Sequence, residues 1–171
     1  MSEKLKAGLR EWRPYLIILL FVLLFRVFFL ISAYIPSGSM ENTLLSGSRA
    51  FGLKCSYWFS EPARGDVVIF DFPDDPSVLY VKRIIGLPGE TVTIIDGSVY
   101  IDGRLLREDY LKETPQGSYG SYTVPPGHYF MLGDNRNHSG DSRFWRKPFV
   151  EKSTILGRVY LSYWPKIGPI S

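Results

Sequence analysis

Residues 15–25 are unbroken apolar sequence, and residues 27–35 continue the run with only Ser32 and Tyr34 as mildly polar breaks. Together they reach the length of about 20 residues that a helix needs to cross a bilayer. The pattern predicts a transmembrane anchor over residues 15–33, preceded by a tail of residues 1–14. After Met40 the pattern changes to short apolar runs separated by turns. Residues 66–70, 79–85, 91–95, 98–101, 127–132 and 157–163 are rich in Val, Ile, Tyr and Phe and predict strands. Asp96-Gly97 and Asp102-Gly103 predict tight hairpin turns. Pro62, Pro73, Pro76, Pro88, Pro125 and Pro126 break any helical reading of the pieces between. The expected fold is mainly β: a folded, barrel-like antiparallel sheet over residues 34–171, behind one N-terminal transmembrane helix. A small hairpin and loop insertion is expected around residues 90–125, and the polar stretch 104–122 within it is the expected mobile loop.

A cleavable leader is the rival reading of the apolar run. Its core would be shorter and would end in a small-x-small site. Ser32-Ala33 is small enough, but Tyr34-Ile35-Pro36 does not resemble the start of a mature chain, so an uncleaved anchor is expected. Lys4, Lys6, Arg10 and Arg13 precede the run, opposed by Glu3 and Glu11. The positive-inside rule then puts the N-terminus in the cytoplasm and the body on the other side. Arg26 is costly at mid-bilayer and is expected near the far interface, its head reaching the polar layer.

The 171 residues, less the anchor, suffice for one domain, and 11 Tyr, 11 Phe and 4 Trp supply a core and a membrane-contacting rim. The net charge of +3 is modest and the Lys and Arg residues are scattered, which argues against nucleic-acid binding. Cys55 is the single cysteine and has no partner for an intrachain disulfide. His128 and His138 fall on different expected elements with no cysteine near, so no metal site is expected. No cofactor is expected either, and the chain is expected to act as a monomer.

Two residues point to chemistry. Pro36-Ser37-Gly38-Ser39-Met40 leaves the apolar run with two serines separated by a single residue. A serine hydroxyl is a weak nucleophile until a neighbour takes its proton. Lys82, in Tyr80-Val81-Lys82-Arg83-Ile84, shares one strand face with Tyr80 and Ile84, and apolar burial of that kind keeps an ε-amine neutral. Lowering its pKa from about 10.4 towards 8 costs on the order of 3 kcal/mol, which cores rarely tolerate without a reason. Each signal has a bland alternative. A lone lysine in a strand more often lies at an edge with its head in water, and Ser-Gly-Ser after proline is ordinary turn composition. The polar run Gly133-Asp134-Asn135-Arg136 with Ser139, Asp141, Ser142 and Arg143 reads by itself as a turn laced with local hydrogen bonds.

Taken in order, the segments 36–40 with Thr43-Leu44, Gly65-Asp66-Val67-Val68, 80–83 with Gly86-Leu87-Pro88-Gly89-Glu90, and 133–136 with Ser139 and Asp141-Ser142-Arg143 resemble the successive signature boxes of bacterial type I signal peptidases. The resemblance implies a membrane-bound endopeptidase that cuts signal peptides from exported precursors, using the Ser39 nucleophile and the Lys82 general base. It implies an oxyanion hole from the Ser39 backbone N–H and the Ser37 hydroxyl, and a Ser139 hydroxyl that orients Lys82. Arg83, Asp134, Asp141 and Arg143 would form structural ion pairs. Ile35, Met40, Leu44, Tyr80 and Val81 would line shallow pockets for alanine-sized side chains. Partners would be signal-peptide-bearing precursors and the lipid bilayer. The chain departs from the family pattern at Glu41-Asn42, where proline is usual, and at Arg146-Lys147, where glycine is common after Trp145. Two other readings stay open at this point: a different Ser/Lys processing peptidase, such as a pilus or conjugation maturase, and a membrane-anchored β-module that binds peptides without cutting them.

Overall fold

The computed structural model describes the backbone of residues 3–170 and the side chains of residues 12–170; Lys4, Lys6, Arg10, Glu3 and Glu11 therefore have side chains outside the described residues. One helix, α1 (Glu3–Phe29), contains the window Trp12–Phe29, which has a mean hydropathy of 1.9 and no buried share, long and apolar enough to cross a membrane. The helix stops at Phe29, short of the expected end at residue 33. The apolar run continues as strand β1 (Leu30–Ile35), which alternates: Ala33 and Ile35 point into the core while Tyr34 points out. Backbone pairing with β2 (Ser48–Leu53), Ala33 opposite Ala50 and Ile35 opposite Ser48, takes the place of helical bonds there. Lys54 Nζ donates to the Val27 carbonyl at 2.8 Å, capping an otherwise unpaired acceptor in the last turn of α1.

The body is antiparallel throughout the described strands. β3 (Val67–Phe72), β4 (Asp75–Gly86), β9 (His128–Leu132), β10 (Phe149–Glu151) and β11 (Ile155–Trp164) join β1 and β2 in the order β1-β2-β11-β3-β4-β9-β10, with β12 (Gly168–Pro169) on β11. β5 (Thr91–Ile95), β6 (Ser98–Ile101), β7 (Arg104–Leu105) and β8 (Gly120–Thr123) form a second, smaller sheet ordered β7-β6-β5-β8. β3 has both faces buried: Val67 and Ile69 enter one cluster with Ile35, Met40 and Leu44, while Val68 and Phe70 enter another with Ile84, Tyr129 and Met131. That is why it reads as a continuous apolar run rather than an alternating one. A third cluster, Ile85, Val92, Ile94, Val99, Val124, Phe130 and Leu132, joins the two sheets.

Both Asp-Gly pairs are tight turns, with φ of 47° and 77° at Asp96-Gly97 and 48° and 79° at Asp102-Gly103, the left-handed pair that matches strand twist. The stretch 104–122 is not a loose loop. Leu106, Tyr110 and Tyr119 pack on the third cluster, and the Glu108 carboxylate is buried against Arg136. Of the charges along the stretch, Glu108 pairs with Arg136 and Lys112 with Glu41, while Arg104, Arg107 and Asp109 are exposed.

Candidate active site

β4 carries the lysine. Lys82 is paired across the sheet with Val68, lies two residues from Tyr80 and Ile84 on its own face, and is only 4% exposed. The serines come from the connection after β1. Residues Gly38–Met40 form a single 3-10 turn whose Met40 is fully buried, so an apolar plug fixes the turn to the core. From the opposite side Asn135 holds it, its N–H donating to Ser39 O at 3.0 Å and its Nδ2 to Gly38 O at 2.9 Å. A Cβ at Gly133 would stand 2.5 Å from Ser39 O, so only glycine lets the two turns approach this closely.

The two elements meet at one point. Lys82 Nζ lies 2.6 Å from Ser39 Oγ, with both residues buried. Desolvation pulls the Lys82 pKa down from 10.5 to about 8, against the opposing pull of the Asp141 and Asp134 carboxylates. Ser37 Oγ stands 3.2 Å from Ser39 Oγ. Such an arrangement holds a hydroxyl, an amine able to lose its charge near neutral pH, and a second hydroxyl beside the reacting oxygen.

The site opens into a cleft of about 320 Å³. Residues 34–37 and 78–82 line it, together with Ser39, His138 and Gly140. Of the residues that the resemblance assigns to substrate pockets, Ile35, Tyr80 and Val81 line this cleft. Met40 and Leu44 do not: they are 0% and 1% exposed and belong to the core beneath the serine turn. Their apolar character serves the turn's anchorage. Tyr80 is held by stacking on Phe72 at 4.3 Å and by the edge of Trp145 at 5.8 Å. Asp74 accepts the N–H groups of Arg146 and Lys147 at 2.9 and 3.0 Å, so the turn without the family's glycine is closed by a side chain instead.

Behind the lysine, alternation turns Arg83 to the other face. Its guanidinium meets Asp134 through two bonds of 2.9 and 2.7 Å, with Thr43 Oγ1 also donating to Asp134 and the Tyr110 ring 3.9 Å away. Arg143 pairs with Asp141 at 2.8 and 2.9 Å, and Asp141 also accepts the Gly133 N–H at 3.1 Å. Ser139 departs from expectation: its Oγ is buried without a hydrogen-bond partner and does not bond Lys82, whose amine is turned to Ser39. Sequence reasoning gave no role to Asn135, Gly133, Thr43 or the Glu108–Arg136 pair. All of these but Glu108 stand inside the signature boxes, but their roles depend on distant partners that spacing does not reveal. Among the described residues no three His, Cys, Asp or Glu side chains gather to hold a metal ion.

Comparison with known proteins gives this architecture a family. The family model described as signal peptidase, peptidase S26, matches residues 9–164. A probable signal peptidase I-2 of Synechocystis sp. is 41% identical over 145 residues, covering 82% of this chain and 66% of its own length. A signal peptidase I of Bacillus licheniformis is 38% identical over 175 residues, covering 96% of this chain and 93% of its own length. The crystal structure of a signal peptidase I from Enterococcus faecalis V583 superposes with a TM-score of 0.52 at 37% identity, over 58% of this chain and 97% of that one. The chain belongs to the signal peptidase family, peptidase S26.

Proposed function

We propose that this chain is a membrane-anchored serine endopeptidase that removes signal peptides from exported precursors, cutting after small-x-small sites. The observation that carries the reading is the 2.6 Å contact between Lys82 Nζ and Ser39 Oγ inside the protein. Ser39 Oγ attacks the scissile carbonyl while neutral Lys82 takes its proton. The Ser39 backbone N–H and the Ser37 hydroxyl donate to the oxyanion. Lys82 then gives the proton to the leaving amine, freeing the mature chain and leaving the signal peptide esterified to Ser39. A water molecule, deprotonated by Lys82, hydrolyses that ester and restores the serine. Ile35, Tyr80 and Val81 bound a shallow apolar wall suited to small side chains. Helix α1 anchors the body with the N-terminus in the cytoplasm and the site on the far side. Anchoring holds the site and the precursor in one membrane plane, which raises their effective concentration.

The test is cleavage of a purified precursor by the full chain in detergent or lipid. Ser39→Ala and Lys82→Arg should both be inactive, the second because guanidinium does not lose its proton at usable pH. Appreciable turnover by Lys82→Arg would rule out the lysine as base.

A further inference from the structure

Residues 108–116 cross the molecule beside the cleft and touch both turns of the site. At one end Glu108 makes a two-pronged bond with Arg136, the side chains only 4% and 2% exposed. Arg136 in turn donates from Nε to Gly133 O at 3.0 Å, and its own carbonyl accepts Arg143 Nη2 at 2.6 Å. Tyr110 OH donates to Glu108 at 2.6 Å while its ring covers Arg83. Further along, Lys112 Nζ meets the Glu41 carboxylate at 2.6 Å, and Glu41 closes the Ser39 turn through its N–H to Gly38 O at 3.2 Å. The Gln116 N–H and the Thr114 carbonyl bind the Asn137 side chain at 3.0 and 3.2 Å, and Glu113 lies 3.4 Å from His138. One segment thus grips the Ser39 turn once and the 133–140 turn several times.

We infer that residues 108–116 are a positioning strap for the reaction proposed above, with Glu108 and Lys112 as its anchor points. The inference rests on that reading of Ser39 and Lys82. Neither anchor lines the cleft, so neither is a catalytic residue. Glu108 fixes Arg136 and hence Gly133, against which the Ser39 carbonyl is packed; Lys112 fixes Glu41 at the other end of the same turn. Releasing either end lets the serine turn shift relative to β4, and a displacement of about 1 Å in a reacting group costs about 100-fold in rate. A buried carboxylate would otherwise be a poor use of a surface segment, because an ion pair out of water must recover its desolvation cost through geometry.

The experiment compares the full-length protein with Glu108→Gln, Glu108→Asp and Lys112→Ala, measuring kcat and KM per folded molecule on a soluble peptide below the unfolding midpoint. Glu108→Gln should lower kcat by roughly 10- to 100-fold with KM nearly unchanged, and Glu108→Asp should restore part of the loss. Lys112→Ala, at an exposed pair that carries little folding risk, should lower kcat several-fold with an unchanged melting temperature. If Glu108→Gln does not fold, Lys112→Ala decides. Wild-type kcat per folded molecule in Lys112→Ala, or in a folded Glu108→Gln, overturns the strap. Ser39→Ala is run alongside: an active Ser39→Ala would fell the proposed function itself, whereas an inactive one beside unimpaired strap variants removes the strap alone.

Discussion

At the scale of single residues, the site depends on a lysine buried where its charge is disfavoured. Burial holds the folded-state pKa of Lys82 at about 8, below its ordinary 10.5. Below about pH 8 the amine is protonated in both the folded and unfolded chains, and the buried ammonium carries its full penalty. Between about 8 and 10.5 the unfolded chain binds more protons than the folded one, so stability rises with pH across that window. Lys82→Met should therefore be inactive yet more stable than wild type at pH 7, by up to about 3 kcal/mol, the free-energy equivalent of the shift. Chemical denaturation at several pH values checks this: the gap should narrow towards pH 10.5, and a less stable Lys82→Met would contradict it. Lys82 and Ser39 were legible in the sequence only through the ordered boxes that resemble the family, since each signal alone has a bland reading. The separate fates of Met40 and Ser139 were not. Whether an apolar side chain near a site lines it or supports it depends on which way the turn rolls, and the Ser139 hydroxyl depends on the rotamer its crowded turn allows.

At the scale of elements, the site exists because two turns from distant parts of the chain are pressed together, and Gly133 is the point of closest approach. Gly133→Ala would place a methyl group against the Ser39 carbonyl, a backbone atom that cannot swing aside. Its kcat should fall by about 100-fold through displacement of the serine turn. Gly168→Ala, where an added Cβ meets nothing, should leave the rate unchanged. A Gly133→Ala enzyme with wild-type kcat would mean that the two turns can part without moving the serine. The strands 91–95 and 98–101 and both Asp-Gly turns follow directly from pattern and turn chemistry. β1 and β2 were harder to read. β1 was hidden in the tail of a membrane-length apolar run, and β2 carries Arg49 and Gly52, the latter forced by the Arg158 carbonyl 2.9 Å from where its Cβ would be. The short strands β7, β8 and β10 depend on partners far along the chain rather than on their own composition.

At the scale of the whole molecule, anchor and body share a continuous backbone, with β1 beginning where α1 ends. A soluble form starting at Tyr34 would lose most of β1 and bare the edge of β2. A form starting at Leu30 keeps Ala33 and Ile35 in the core. The longer form should fold cooperatively and cut soluble peptides; the shorter should melt at lower temperature or aggregate, as calorimetry and light scattering would reveal. Equal stability of the two would mean that β1 adds nothing to the sheet. The central claim, that a lysine made neutral by burial activates Ser39, is tested most directly by the pH dependence of kcat/KM for precursor cleavage by the full chain in lipid. The rate should rise with pH through a midpoint near 8, where Lys82 loses its proton. A profile flat across that region, or one falling as pH rises through it, would contradict the account.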